Sequence, residues 1–201
     1  MAGHRFDSSV YGRVIAELLG EPRLPPLGPG TPNESQRARL KNATAESLFP
    51  DQALHDHDMA RACLAGLWLY HDFLDESHAL SQSIETMTGS YWHGLMHRRE
   101  PDFGNAKYWF RRVGDFPTFG MLAAEAGRLA EASELAPAAR FLADQKRWDP
   151  FAFIDLCEAC VTGSLPLEPL CRRIQQREWE LLFGHCYRAA LGREPFRDSS
   201  N

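Results

Sequence analysis

Asp58-Met59-Ala-Arg-Ala-Cys-Leu-Ala-Gly-Leu-Trp-Leu-Tyr70 decides the fold class, because after an acidic cap it carries apolar or small residues at almost every position, with Arg61 as the one charged side chain of the run. A helix that is apolar around its whole circumference must be covered on all sides, so this run reads as the central helix of a bundle and not as a surface helix. Its helical pattern continues through Phe73, Leu80, Ile84 and Met87, with a break near Asp72. Thr88-Gly-Ser90 then turns the chain into a second helix, Tyr91 to Arg99, which Pro101 ends. The two make a helical hairpin.

Outward from that hairpin the pattern stays helical. Ser9 to Leu19 spaces Val10, Tyr11, Val14, Ile15, Leu18 and Leu19 as one buried face, with Gly20 as a stop. Positions 21–33 are rich in proline and glycine, which forbid helix and strand ladders alike, and predict an extended surface connection. Glu34 to Leu48 reads as a polar helix, and Asn105 to Val113 as a short amphipathic one. Phe119 to Ser133 and Pro137 to Lys146 form an alanine-rich pair. Asp149-Pro150 opens a helix through Val161, and Glu168 to Leu191 supplies a long last one. No strand and no 34-residue helical repeat is visible. The expectation is all-α: a single-domain helical bundle over 1–201, with about eight helices, no sheet, and a disordered tail over 195–201.

A chain of 201 residues suffices for one domain that buries about 70 per cent of its unfolded surface without staples. No apolar run is long enough to span a membrane, and the polar amino terminus is no signal peptide, which predicts a cytoplasmic protein. A formal charge of −5 gives the long-range field the wrong sign for nucleic acid or an anionic membrane surface. Five cysteines form an odd set: Cys157-Glu-Ala-Cys160 with Cys171, His185 and Cys186 has the residue types of a zinc site, but small buried thiols are the expected reading in an amphipathic run.

The chemistry concentrates in Tyr91-Trp-His-Gly-Leu-Met-His-Arg-Arg-Glu-Pro-Asp102, continuing through Asn105-Ala-Lys-Tyr-Trp-Phe-Arg-Arg112. His71, Asp75 and His78 stand at i, i+4 and i+7 on the first helix, and His93, His97 and Glu100 repeat that spacing on the second. If the helices are antiparallel, the two stripes meet. His71, His78, His93, His97 and Glu100 are therefore candidate metal ligands, with zinc, iron and manganese the ions suited to mixed nitrogen and oxygen donors. His78, His97 and Asp75 are the candidate acid–base groups. Arg98, Arg99, Lys107 and Arg111, beside Trp92 and followed by Arg112, form a basic cluster for a small anionic molecule, with Arg98 the first choice. No phosphate-cradling glycine loop, serine elbow or dinucleotide fingerprint is present. The alternative is a non-enzymatic module in which the same histidines and arginines form a buried polar network and the partner is another protein or a second copy, as in a homodimer.

The wording Ser90-Tyr-Trp-His-Gly-Leu-Met-His-Arg-Arg-Glu-Pro-Asp-Phe103 with Asn105-Ala-Lys-Tyr-Trp-Phe-Arg-Arg-Val-Gly114 resembles an uncharacterised family of small helical proteins from bacteria and fungi. The resemblance covers roughly Asp72 to Phe119 and, more loosely, Arg173 to Phe183. It implies a common helical fold and a common site, and names no reaction.

Overall fold

The apolar run becomes helix α4 (His57–Tyr70), ten of whose fourteen residues are buried, and the rest of the chain is laid around it. The computed structural model describes residues 6–20, 22–132 and 137–194; the tail expected at 195–201 lies outside them. Before α4 come α1 (Gly12–Leu19), which continues a 3-10 turn at Ser8–Tyr11, then α2 (Glu34–Lys41) and α3 (Ala45–Leu48). After it come α5 (Leu74–Gln82), α6 (Met87–Arg99), α7 (Phe103–Val113), α8 (Phe119–Glu131), α9 (Phe141–Asp144), α10 (Pro150–Val161) and α11 (Glu168–Ala190). The class is all-α, with no strand among the described residues.

Among the described residues there are eleven α-helices where about eight were expected. The polar run from Glu34 splits at Asn42, and Thr44 starts a new helix with a capping box closed by Ser47. The alanine-rich pair ends in the four-residue α9. The break expected near Asp72 matters most. Asp72 adopts φ 64, a left-handed conformation costly for a side chain with a Cβ, and separates α4 from α5. Its carboxylate is held there from two sides, by Arg23 Nη2 at 2.8 Å and by Arg99 Nη2.

The hairpin turn also lies earlier than the glycine suggested. Ser83 ends α5, Thr86 caps α6 by accepting from Gly89 N at 3.1 Å, and Gly89 sits inside the helix. Gly89 is required by contact, since a Cβ there would overlap the Ile84 carbonyl oxygen. Gly94 has the same role on another face of the helix, where a Cβ would lie 2.9 Å from the Phe110 ring. These two positions let α6 settle against the turn before it and against α7.

α4 packs on α5, α6 and α11, while α6 also faces α5 and α7, so α6 lies at the centre of the functional half. The core around α11 is aromatic: Trp179 stacks on Phe183 with centroids 4.7 Å apart, and Tyr70, Trp92 and Phe6 meet the same indole. Buried rings of this size dominate the packing energy of a small domain. The proline-rich stretch 22–33 crosses this core as an extended strap. Arg172 Nε donates to Pro25 O at 3.1 Å, Gln175 Nε2 to Pro26 O at 3.0 Å and Arg99 Nε to Gly28 O at 3.0 Å. Its five prolines carry no N–H, so a strap that offers mainly acceptors is matched by donors from α6 and α11.

Candidate metal centre

α5 and α6 run antiparallel from the Ser83–Thr86 turn, which sets His78 opposite the α6 face that carries His93 and His97. Those two are one helical turn apart, so their rings stack along one face. Ring centroids are 4.5 Å apart for His78–His93, 4.7 Å for His93–His97 and 5.2 Å for His78–His97. One ring nitrogen from each lies within 4.8 Å of the other two. Zinc bonds of about 2.0–2.1 Å put ligand nitrogens roughly 3.4 Å apart in a tetrahedron, so small side-chain rotations close the set.

A hydrogen bond fixes which nitrogen His97 offers. Its Nδ1 lies 3.1 Å from Glu100 Oε2, and since a carboxylate accepts, the proton is on Nδ1. That leaves Nε2 unprotonated, the form in which imidazole binds a metal. Ser81 Oγ lies 3.2 Å from His78 O and 3.4 Å from His93 Nδ1, a contact whose direction follows the tautomer of the ring.

Electrostatics favour the same neutral state. Burial, and then the neighbouring His97 and His78, push His93 down to about 3. Burial also lowers His97, with Glu100 and Asp102 opposing part of that shift. A charge placed on His93 is both buried and close to its neighbouring rings. Trp109 closes the His93 side, its ring centroid 4.0 Å from the imidazole, and Arg112 lies 5.1 Å from the Trp109 centroid. His78 is the partly exposed member of the triad.

The remaining predicted site residues lie elsewhere, each for a visible reason. His71 is not a ligand: the break at Asp72 takes it off the line of His78, and both its nitrogens are engaged, Nδ1 by Asn33 Nδ2 at 3.1 Å and Nε2 by Leu18 O at 2.7 Å. Asp75 is exposed on α5 and outside the triad. Glu100 binds His97 and is not among the grouped ligands. Trp92 is fully buried and donates to Cys186 Sγ at 3.4 Å.

The basic cluster is dispersed. Arg98, the first choice for anion capture, is wholly buried on Glu178 at 2.5 Å, with Tyr91 donating to the same carboxylate at 3.0 Å and the Phe153 ring 4.8 Å from the guanidinium. Glu178 outweighs the burial penalty, and the Arg98 pKa stays above its ordinary value. Arg99 is taken by Asp72, and Lys107 by Asp155. Arg111 is exposed beside Gly114 and Asp115, on the rim of a separate groove that includes Trp148. Of these basic residues, Arg112 lies over the ring of Trp109, which in turn packs on His93. Sequence reasoning missed Ser81, whose place is set by the hairpin turn, and marked Asp72 as a helix break without the ion pairs of its carboxylate.

The cysteines form no shared site with His185. All five are free and buried; Cys160 and Cys171 lie 3.8 Å apart, Cys186 serves Trp92, and His185 packs edge-on against Phe116. No protein-family profile, curated protein or solved structure matches this chain.

Proposed function

We propose that His78, His93 and His97 hold one divalent metal ion of the zinc class, with iron and manganese as the rivals, and that the protein acts on or binds a small anionic molecule there. The observation that carries this reading is the grouping of the three rings, one nitrogen from each within 4.8 Å of the other two, with Ser81 and Glu100 beside the Nδ1 atoms of His93 and His97. Carboxylates or hydroxyls bonded behind histidine ligands orient them and raise their basicity, a common companion of metal sites. Three neutral nitrogen donors suit zinc and iron better than magnesium or calcium, which prefer oxygen. Three protein ligands also leave a position open, where zinc lowers the pKa of bound water to about 7 and supplies a hydroxide nucleophile or a Lewis acid.

The non-enzymatic alternative, a polar network that sets helix register, is favoured for a different set of residues. Arg98 with Glu178 and Arg99 with Asp72 are buried ion pairs away from the triad. Buried pairs of this kind serve fold specificity in some proteins.

Elemental analysis after gel filtration tests the metal reading. The protein is expected to retain close to one equivalent of zinc, iron or manganese, and His93→Ala to release it. Metal-free protein that takes up none of these ions, and melts unchanged with chelator, overturns it.

A further inference from the structure

The metal reading leaves a charge imbalance around the triad, and that imbalance names a ligand. Three neutral imidazoles leave a divalent ion its full charge. Two carboxylates stand on the His97 side, but both are engaged: Glu100 accepts from His97 Nδ1 at 3.1 Å, and Asp102 caps α7, accepting from Asn105 N at 3.0 Å and Asn105 Nδ2 at 3.1 Å. They soften the field at His97 without filling a coordination position. At His93 the groups that act on the ring are the other two histidines and no carboxylate.

On that side the structure places a cation. Arg112, in the last turn of α7, is exposed and makes no ion pair among the described residues, and its guanidinium lies 5.1 Å from the centre of the Trp109 ring. The indole is in turn 4.0 Å from the imidazole of His93. Contact with an indole holds an arginine in place while leaving its planar fork of donors free for a carboxylate or phosphate. His93, Trp109 and Arg112 thus run as a chain from the coordination site to an unpaired guanidinium.

Resting on the metal reading above, we infer that the site takes a small molecule with two anionic oxygen groups, one bound at the open metal position and the other held by Arg112 over the ring of Trp109. A single anionic group satisfies the metal and leaves Arg112 unpaired. Two satisfy both. Dicarboxylates and carboxylated phosphate esters share this chemistry.

Cobalt(II) replaces zinc-class ions in nitrogen sites and reports its ligands through its visible absorption, so the test uses the cobalt-loaded protein with acetate and succinate as probes. Both are expected to change the spectrum, with succinate binding about tenfold more tightly, the factor a charge-assisted contact of about 1.4 kcal/mol supplies. Arg112→Gln should remove the succinate advantage while leaving cobalt and acetate affinity as they are. Glutarate and a phosphorylated glycolate, run beside them, separate dicarboxylates from phosphate esters as the preferred source of the second anion. Succinate no tighter than acetate, or an advantage that survives Arg112→Gln, overturns the inference even when cobalt binds. Failure of the wild type to bind cobalt at all instead overturns the metal reading beneath it.

Discussion

At the residue scale Glu100 does what the spacing of histidines alone leaves open: it decides which nitrogen of His97 is free. From the sequence Glu100 reads as a ligand, since it continues the i, i+4, i+7 stripe begun by His93 and His97, and its partner nitrogen shows that the stripe carries a different meaning. Removing its charge keeps the size of the side chain but weakens the hold on His97 Nδ1. Glu100→Gln is therefore expected to leave the fold intact and to lower zinc affinity by about 10- to 100-fold, the usual range for groups bonded behind a metal ligand. Competition with a chromophoric chelator measures it, and unchanged affinity would place Glu100 outside the site. Arg98 and Arg99 teach the converse. Adjacent residues on a helix point about 100° apart, so the sequence could separate them from each other. It could not show that Glu178 and Asp72, 80 and 27 positions away, wait on those two faces.

At the scale of the element, the period is readable, and the contacts that hold its interruptions are not. The buried run at 59–70, the Asp149-Pro150 start of α10 and the long α11 follow from local pattern and capping, and the structure places them within a residue or two. The break expected near Asp72 is there, but what holds its left-handed backbone, Arg23 and Arg99 from remote segments, leaves no local signal. The loss of continuity there separates His71 from His78 and dissolves one half of the expected stripe. Gly89 misleads in the opposite sense, as a glycine needed for close approach resembles one needed for a turn. That contact makes a prediction about the hairpin. Gly89→Ala drives a methyl into the backbone of Ile84, which cannot rotate away as a side chain would. Overpacking of this sort costs about 1–3 kcal/mol. Because Ile84 lies between α5 and α6, the same strain shifts His78 against His93 and His97, and metal affinity should fall together with melting temperature. A variant that loses stability but binds zinc as tightly as wild type would mean that the hairpin turn does not set the triad.

For the whole molecule, burying His93 beside two further imidazoles couples stability to pH. The ordinary histidine pKa is about 6.5 in the unfolded chain, while burial and the two neighbouring rings put folded His93 at about 3. The unfolded state therefore binds a proton that the folded state refuses throughout the interval between those values. Stability rises with pH wherever the unfolded form holds more protons, so the His93 contribution is fully present above about 6.5 and is lost progressively as pH falls toward 3. Near pH 5 this one group accounts for about 2 kcal/mol, or roughly 4–8 °C in a domain of this size. His97 moves in the same direction, moderated by Glu100 and Asp102. His93→Gln, which removes the titrating ring and retains a polar side chain, is expected to flatten the fall in melting temperature of metal-free protein between neutral pH and pH 5 by about that amount. Zinc adds a second layer with the same sign, because a ligand that binds only the folded state stabilises it by about 2.7 kcal/mol at a hundredfold excess over Kd, and protons compete for the same nitrogens. The zinc-dependent rise in melting temperature should therefore shrink as the medium is acidified, and in His93→Gln it should be small at every pH. A wild-type protein whose metal-free melting temperature does not change between pH 7 and pH 5 would show that His93 is not held neutral by its surroundings, and would remove the electrostatic ground for treating the triad as a ready-made ligand set.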